Sequence, residues 1–397
     1  MFTLSNLLKR GANYFLIVLL ARTIPVSVFG TYSAYINIIG VLLLVTNFGF
    51  SEYLLVNSEN NRLLKINSSN FFQISILLFI IIFLGLCFLP TEDSTLAGLI
   101  LIKIFLETSI YNILLAYYQV EKKINIMSIT NIISGVSVII LSFSCYLLDS
   151  EIYTYFIFIN LVYIVILIIH LLRAKFQIRS IIEIVSFIKT RFLDLKYYGI
   201  SMITVPIYMM APTVIGSFIL EPEVLAQYQI AFSIANILLL VSVSLLQEGY
   251  VKFVSCKHNI LELTKVLKKT GSKIILVNVF ILVLFILFGK IILLTVYKQE
   301  AYLEAYYPLI ILLFGNIIFM FAAIFAVTMV VLKLQKEKAK FHLEFILVSM
   351  FFGLLLTYIY GVYGLLSSYI ILYSYSTIRY MFRFNEIYKS LTQKKKI

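Results

Sequence analysis

The chain has 397 residues, of which 61% are hydrophobic and 13% charged, with a mean hydropathy of +1.01 and a formal net charge of +13. So few charges exclude a water-soluble globular domain, in which about a quarter of residues are ionisable. Cys87, Cys145 and Cys256 are scattered without CxxC spacing, which excludes a disulfide framework and a thiolate metal site.

About a dozen apolar runs have the length, roughly twenty residues, that spans a bilayer core. In chain order they fall near 6–24, 32–54, 71–90, 96–118, 126–148 and 152–172, then near 198–219, 227–248, 273–295, 306–332, 343–360 and 364–382. Strict apolar–polar alternation of the barrel kind is absent, so the spans are read as helices. With both termini cytoplasmic, 28 of the 32 Lys and Arg fall on the inner side, leaving only Arg22, Lys103, Lys290 and Lys298. Lys9 and Arg10 belong to that inner set, as a basic lead into the first helix, which is expected to be retained. The inner basic surface suits anionic phospholipids and needs no nucleic acid to explain it.

Thr23–Thr31, with Pro25 and Gly30, reads as an outer turn between helices 1 and 2. The second helix and its approach recur 196 positions later. Val28, Tyr32, Ile38 and Glu52 match Val224, Tyr228, Ile234 and Glu248. A repeat of half the chain implies two six-helix lobes. The lobes are expected at 1–172 and 198–382, with a linker over 173–197 and a basic cytoplasmic tail over 383–397. Inside the linker, Ile181, Ile184, Ile188, Phe192 and Leu195 keep 3–4 spacing, the pattern of an amphipathic helix on the membrane surface. Helix 7 carries Pro206 and Pro212, which remove backbone donors and predict a bend or break. The expected fold is an all-α polytopic membrane protein of about twelve helices, two lobes enclosing a central cavity.

Ionisable groups inside hydrocarbon are costly and are the first functional candidates. Lys103 and Glu107, four apart on helix 4, share one face. As an isolated feature they form an internal ion pair with Lys103 snorkelling outward. Facing a water-filled cavity, Lys103 meets a substrate phosphate and Glu107 exchanges a coupling proton or ion. Arg22 and Lys290 extend the basic path, and the recurring Glu52 and Glu248 near inner helix ends are candidate gate contacts. His170 and His342 read as membrane-interface residues. No GxxxxGK[ST] loop occurs, so no ATP-hydrolysing engine and no cofactor site is expected. The longest outer loop, near 296–305, is too short for a glycan-polymerising enzyme.

The stretch LLARTIPVSVFGTYSAYINIIGVLLLVTNFGFSEYLL resembles the opening of polysaccharide exporters of the O-antigen flippase (Wzx) type. Ala21, Arg22, Phe29, Gly30, Tyr32, Phe48 and Gly49 carry the likeness. These exporters belong to the multidrug/oligosaccharidyl-lipid/polysaccharide (MOP) superfamily. Ile24 and Ala226 depart from the expected glycines, and Ala211-Pro212-Thr213 stands where helix 7 of the family often has an Asp. The resemblance implies a transporter rather than an enzyme. It implies translocation of an undecaprenyl-pyrophosphate-linked oligosaccharide from the inner to the outer leaflet of the bacterial cytoplasmic membrane, with a polysaccharide polymerase and a chain-length regulator as partners. A drug/cation antiporter of the same superfamily and a membrane glycan polymerase are the alternatives.

The orientation is checkable by accessibility. A tag inserted after Ser150 reports from the outside and one near Lys257 from the inside; the opposite pair of results overturns the topology.

Overall fold

An apolar segment in lipid must pair its own backbone, and the computed structural model of the protein does so helix by helix. It describes residues 2–57, 61–87, 93–176, 180–256, 259–332 and 334–394, and no strand occurs among them. Ten helical segments of the described chain are long and apolar enough to cross a membrane. Two features reconcile that number with twelve spans. Helix α1 (Phe2–Thr23) carries Asn6, Lys9, Arg10 and Asn13, which dilute its hydropathy. The last helical segment, Gln335–Lys394, contains two spans that meet at Gly361, where φ 58° and ψ −134° turn the chain. The chain divides into two units, Met1–Ile207 and Tyr208–Ile397.

The N-terminal unit continues with α2 (Val26–Leu42), α3 (Leu44–Asn47), α4 (Phe50–Asn57), α5 (Asn61–Cys87) and α6 (Ser94–Ile104). A π-turn, Phe105–Ile110, leads into α7 (Tyr111–Val120), followed by α8 (Ile124–Leu147) and α9 (Ile152–Ala174). The predicted span 32–54 is therefore three helices rather than one. Gly49, at φ 71°, separates α3 from α4, since a left-handed residue ends the helical ladder and glycine adopts it without a steric penalty, whereas α2 gives way to α3 at a right-handed Leu43. The break is satisfied from inside: the Thr46 carbonyl accepts from Ser75 Oγ at 2.5 Å, and the Thr46 hydroxyl pairs with that of Ser109. The repeat shows the same logic in reverse. Helix α11 (Pro222–Ser255) begins 196 residues after α2 yet runs unbroken, with Leu245 at the position of Gly49.

The chain passes from one unit to the other within α10 (Ile181–Ile219), which joins the expected surface helix and helix 7 into one element. Part of its apolar stripe is covered by protein. Ile184 and Leu195 are buried in protein and Phe187 sets its ring edge against Phe71 at 5.4 Å, while Ile182 and Val185 face outward. The side chains of Ile181, Ile188 and Phe192 lie outside the described residues. Helical spacing marks an apolar face but not the medium that covers it. The helix also passes through Pro206 and Pro212 instead of stopping at either. Pro212 has no N–H for the carbonyl of Tyr208, and that carbonyl accepts from Ser349 Oγ at 2.7 Å instead.

In the C-terminal unit α11 packs with α12 (Ile260–Tyr297), α13 (Tyr306–Val331) and α14 (Gln335–Lys394) around Leu239, Phe253, Leu263, Met320, Ile324 and Phe384. Carboxamides tie the helices internally. Asn278 donates to Ser242 Oγ at 2.7 Å and Asn316 to the Ala235 carbonyl at 3.0 Å. The two halves of α14 are clamped by Arg379 on Glu344, at 2.9 and 3.0 Å, and by Arg383 on Glu337, at 2.6 and 2.8 Å. His170 and His342 are buried in the protein and tie helices together. His170 meets the hydroxyls of Tyr118 and Thr130, and His342 that of Tyr380.

The role of Ser349 is separable from general packing. Ser349→Ala is expected to lower stability in detergent by about 1 kcal/mol, the worth of one such hydrogen bond. In a Pro212→Ala background, where the helix supplies its own donor, the loss should shrink. Equal losses in both backgrounds, read from thermal unfolding, would show that the hydroxyl is not replacing the missing N–H.

Candidate functional site: a charged cluster inside the N-terminal unit

Lys103, at the end of α6, and Glu107, in the π-turn, form an ion pair at 2.7 Å with side chains only 12% and 14% exposed. Asn13 of α1 bridges them: its Oδ1 accepts from Lys103 Nζ at 3.3 Å, and its Nδ2 donates to Glu107 Oε1. One turn back on α1, Lys9 Nζ donates to the Glu107 carbonyl at 3.4 Å and lies 3.6 Å from the Tyr111 ring centroid, with the Tyr163 ring at 5.9 Å. Lys9 is 8% exposed. The cluster thus holds two lysines against one carboxylate, a surplus positive charge when both lysines are protonated.

Local structure explains the assembly. Lys9 and Asn13 are four apart on α1, as Lys103 and Glu107 are across the α6 boundary, so two single faces meet. The π-turn shifts the regular backbone ladder, and the Glu107 carbonyl accepts from the Lys9 side chain. Gly135 of α8 lets that helix approach α1 closely, since a Cβ there would lie 3.3 Å from the Lys9 Cα and N. Helix α6 is held at both levels. Asp93 caps it by accepting from the Leu96 N–H at 3.0 Å and receives the Tyr153 hydroxyl, and Asn160 of α9 donates to the Leu99 carbonyl at 3.0 Å. A polar track runs on from the cluster, with the Tyr111 hydroxyl and Asn131 Nδ2 both donating to Asn6 Oδ1, at 3.3 and 2.8 Å.

The predicted site residues divide. Lys103 and Glu107 come together as their spacing implied. Arg22 sits half-buried in the last turn of α1, roughly 13 Å along the helix axis from Asn13, and is not part of the cluster. Lys290 belongs to the C-terminal unit, exposed, with Tyr306 and Tyr307 ring centroids at 5.3 and 5.9 Å. Pro206 and Pro212 lie within α10, and the side chains of Glu52 and Glu248 lie outside the described residues. Lys9 and Asn13 were missed because Lys9 was counted as a cytoplasmic topology charge. The available signal was Asn6, Lys9 and Asn13 recurring at 3–4 spacing on one face of α1.

The C-terminal unit has neutral chemistry near the Ala211-Pro212-Thr213 stretch. Thr213 Oγ1 meets the Tyr228 hydroxyl at 2.9 Å and also the Tyr369 hydroxyl, and the two tyrosines bond at 3.3 Å, all three buried. Tyr32, the repeat partner of Tyr228, instead packs between Phe29 and Phe156. Among the described residues no three His, Cys, Asp or Glu are placed to share a metal ion.

Pairing within the cluster has a measurable signature. Lys103→Met and Glu107→Gln should each destabilise the protein in detergent, Glu107→Gln more because it strands two lysines. The double variant is expected to recover about 1–3 kcal/mol relative to additivity. Strict additivity would mean the pair does not interact.

The sequence profile of the family described as polysaccharide biosynthesis protein matches residues 1–248. No curated protein matches the sequence significantly. In fold the chain is similar to the lipid II flippase MurJ in an inward closed conformation, with a TM-score of 0.77 and 15% identity over 96% of this chain and 87% of that one. It is also similar to an inward-facing multidrug resistance MATE family transporter of the MOP superfamily (TM-score 0.73, 12% identity, 97% and 96% covered). A MOP superfamily transporter from Pyrococcus furiosus, described as having a binding pocket of reverse polarity, gives a TM-score of 0.59 at 12% identity, with 98% and 95% covered. Identities this low speak for the fold alone. The profile spans residues 1–248 of 397, more than half of the chain, which therefore belongs to the polysaccharide biosynthesis protein family and has the fold of the MOP superfamily exporters.

Proposed function

We propose that the protein is a flippase. It carries an undecaprenyl-pyrophosphate-linked oligosaccharide, an O-antigen or related surface polysaccharide repeat unit, from the inner to the outer leaflet of the bacterial cytoplasmic membrane. Both termini are cytoplasmic, and transport proceeds by alternating access with ion coupling. The observation that carries this reading is the buried surplus of positive charge at Lys9, Lys103 and Glu107 in a membrane exporter fold. A diphosphate joined to a hydrated glycan cannot enter hydrocarbon unaided, and an intramembrane cation surplus lowers that cost. Lys103 is the residue that meets a phosphate oxygen. Glu107 and Asn13 hold its ammonium in place when the head is absent.

Arg22 and Lys290 extend the basic path toward the outer side, with Glu52 and Glu248 as gate contacts. Pro206 and Pro212 mark where α10 yields during the cycle. Anionic phospholipids contact the basic inner loops, and a polysaccharide polymerase and chain-length regulator take over the product outside. A multidrug exporter is the weaker reading, because a cationic drug calls for a surplus of intramembrane acid and this cluster has the opposite balance.

The test is the lipid-linked glycan of a strain lacking the gene, resolved by leaflet. Complete repeat units accumulating on the inner leaflet, with no surface polymer, are expected, and Lys103→Ala should reproduce part of that phenotype at unchanged membrane abundance. Single units accumulating outside would indicate a polymerase, and no glycan change would indicate a small-molecule exporter.

A further inference from the structure

Lys9 is chemically unlike the other charges of the cluster. Its ammonium is buried, and among the described residues its one hydrogen bond is to an uncharged carbonyl at 3.4 Å. The face of Tyr111 covers it, and no carboxylate lies within ion-pair distance of it among the described residues. Both oxygens of Glu107 are engaged, Oε2 by Lys103 and Oε1 by Asn13. Lys103 and Glu107 therefore cancel, and the surplus charge resides on Lys9. Removing the Lys9 proton leaves the cluster neutral with its 2.7 Å ion pair intact; removing the Lys103 proton would also leave no net charge but would break that pair in a low-dielectric interior.

The surroundings give the proton a place to meet water and present one carboxylate, Glu107. Lys9 borders a cavity of about 20 Å³, room for one water molecule, shared with Tyr111, Thr130, Ser134, Tyr163 and His170. The Tyr163 ring is buried there, with its hydroxyl beside the Glu107 carboxylate. The charged and titratable groups facing Lys9 are Arg10 on its own helix, Lys103 on α6, Glu107 in the π-turn, Tyr111 on α7, and Tyr163 and His170 on α9; α8 offers only the hydroxyls of Thr130 and Ser134. Glu107 is the single carboxylate among them.

Given the flippase reading, on which this rests, we propose that Lys9 is the proton-binding site of the transport cycle, and that it takes up its proton together with the anionic head of the substrate. An arriving diphosphate supplies the negative charge that the cluster lacks, so the ammonium form of Lys9 and the bound head stabilise each other. When the head departs, the proton is released from Nζ to water. Proton and head then bind with positive linkage, the opposite sign to an exchange in which each displaces the other.

The experiment uses the full chain in detergent with geranylgeranyl pyrophosphate as probe, in weak buffer at about pH 8.5, where phosphate groups of second pKa near 6 are fully ionised. An indicator dye counts protons taken up per probe bound. Wild type is expected to take up as much as one proton, and its affinity should weaken toward tenfold per pH unit as the solution is made more basic. Lys9→Arg, whose charge is permanent, should bind the probe with no uptake and a flat pH profile. Lys9→Met, of similar length, should bind more weakly, also without uptake. Binding by wild type with no uptake, or with release, overturns the proposal while leaving the flippase reading standing. Equal uptake by Lys9→Met or Lys9→Arg overturns the assignment to this residue. Failure of wild type to bind the probe at neutral pH overturns both readings together.

Discussion

Charge placed inside a membrane must be answered from within the protein, because neither water nor lipid answers it there. In this chain that requirement converges on one point, where α1, α6 and the π-turn bring Lys9, Asn13, Lys103 and Glu107 together. A single carboxylate balances one lysine and leaves another. The features around it follow from keeping those groups in register: the cap at Asp93, the carboxamide of Asn160 on the Leu99 carbonyl, and the close approach of α8 at Gly135. The site is a property of the helix packing rather than of any one helix.

The same economy governs the backbone. At three places where the helical ladder is disturbed, a side chain from a neighbouring helix takes the exposed polar group: Ser75 at the Thr46 carbonyl, Ser349 at the Tyr208 carbonyl, Lys9 at the Glu107 carbonyl. Hydrocarbon makes an unsatisfied carbonyl too costly to leave, so an irregularity persists only where a partner is built in. Two of these irregularities are structural. The third, at Glu107, coincides with the charge cluster, which is how π-turns are often used.

The internal repeat shows how one scaffold has come to hold two chemistries. Helices α2 and α11 begin at matching positions and bury matching tyrosines. Gly49 breaks the first copy where Leu245 lets the second run on. Tyr32 sits among aromatic rings, whereas Tyr228 closes a neutral hydroxyl cluster with Thr213 and Tyr369. The repeat conserves length and apolar pattern, which decide how the helices pack. It leaves the few polar positions free to differ, and those decide what each unit can bind.

Composition and periodicity alone determined the membrane class, the helical architecture, the number of spans and the pairing of Lys103 with Glu107. Each follows from a local rule: a run long enough to span, a charge bias between loops, a four-residue offset on one helix. Tertiary structure decided the rest, because it depends on what a face meets. The stripe at 181–195 could have faced lipid or protein with the same spacing, and at Ile184 and Leu195 it is covered by protein. Lys9 had the look of a topology signal, yet packing against α6 and the π-turn buries it beside Glu107. The prolines of α10 predicted a bend or break, and the helix runs on through both, with Ser349, 137 residues after Pro212, on the carbonyl that Pro212 leaves without a donor. A sequence states which groups are polar and how they are spaced along one helix; which distant group will answer them is settled only when the helices come together.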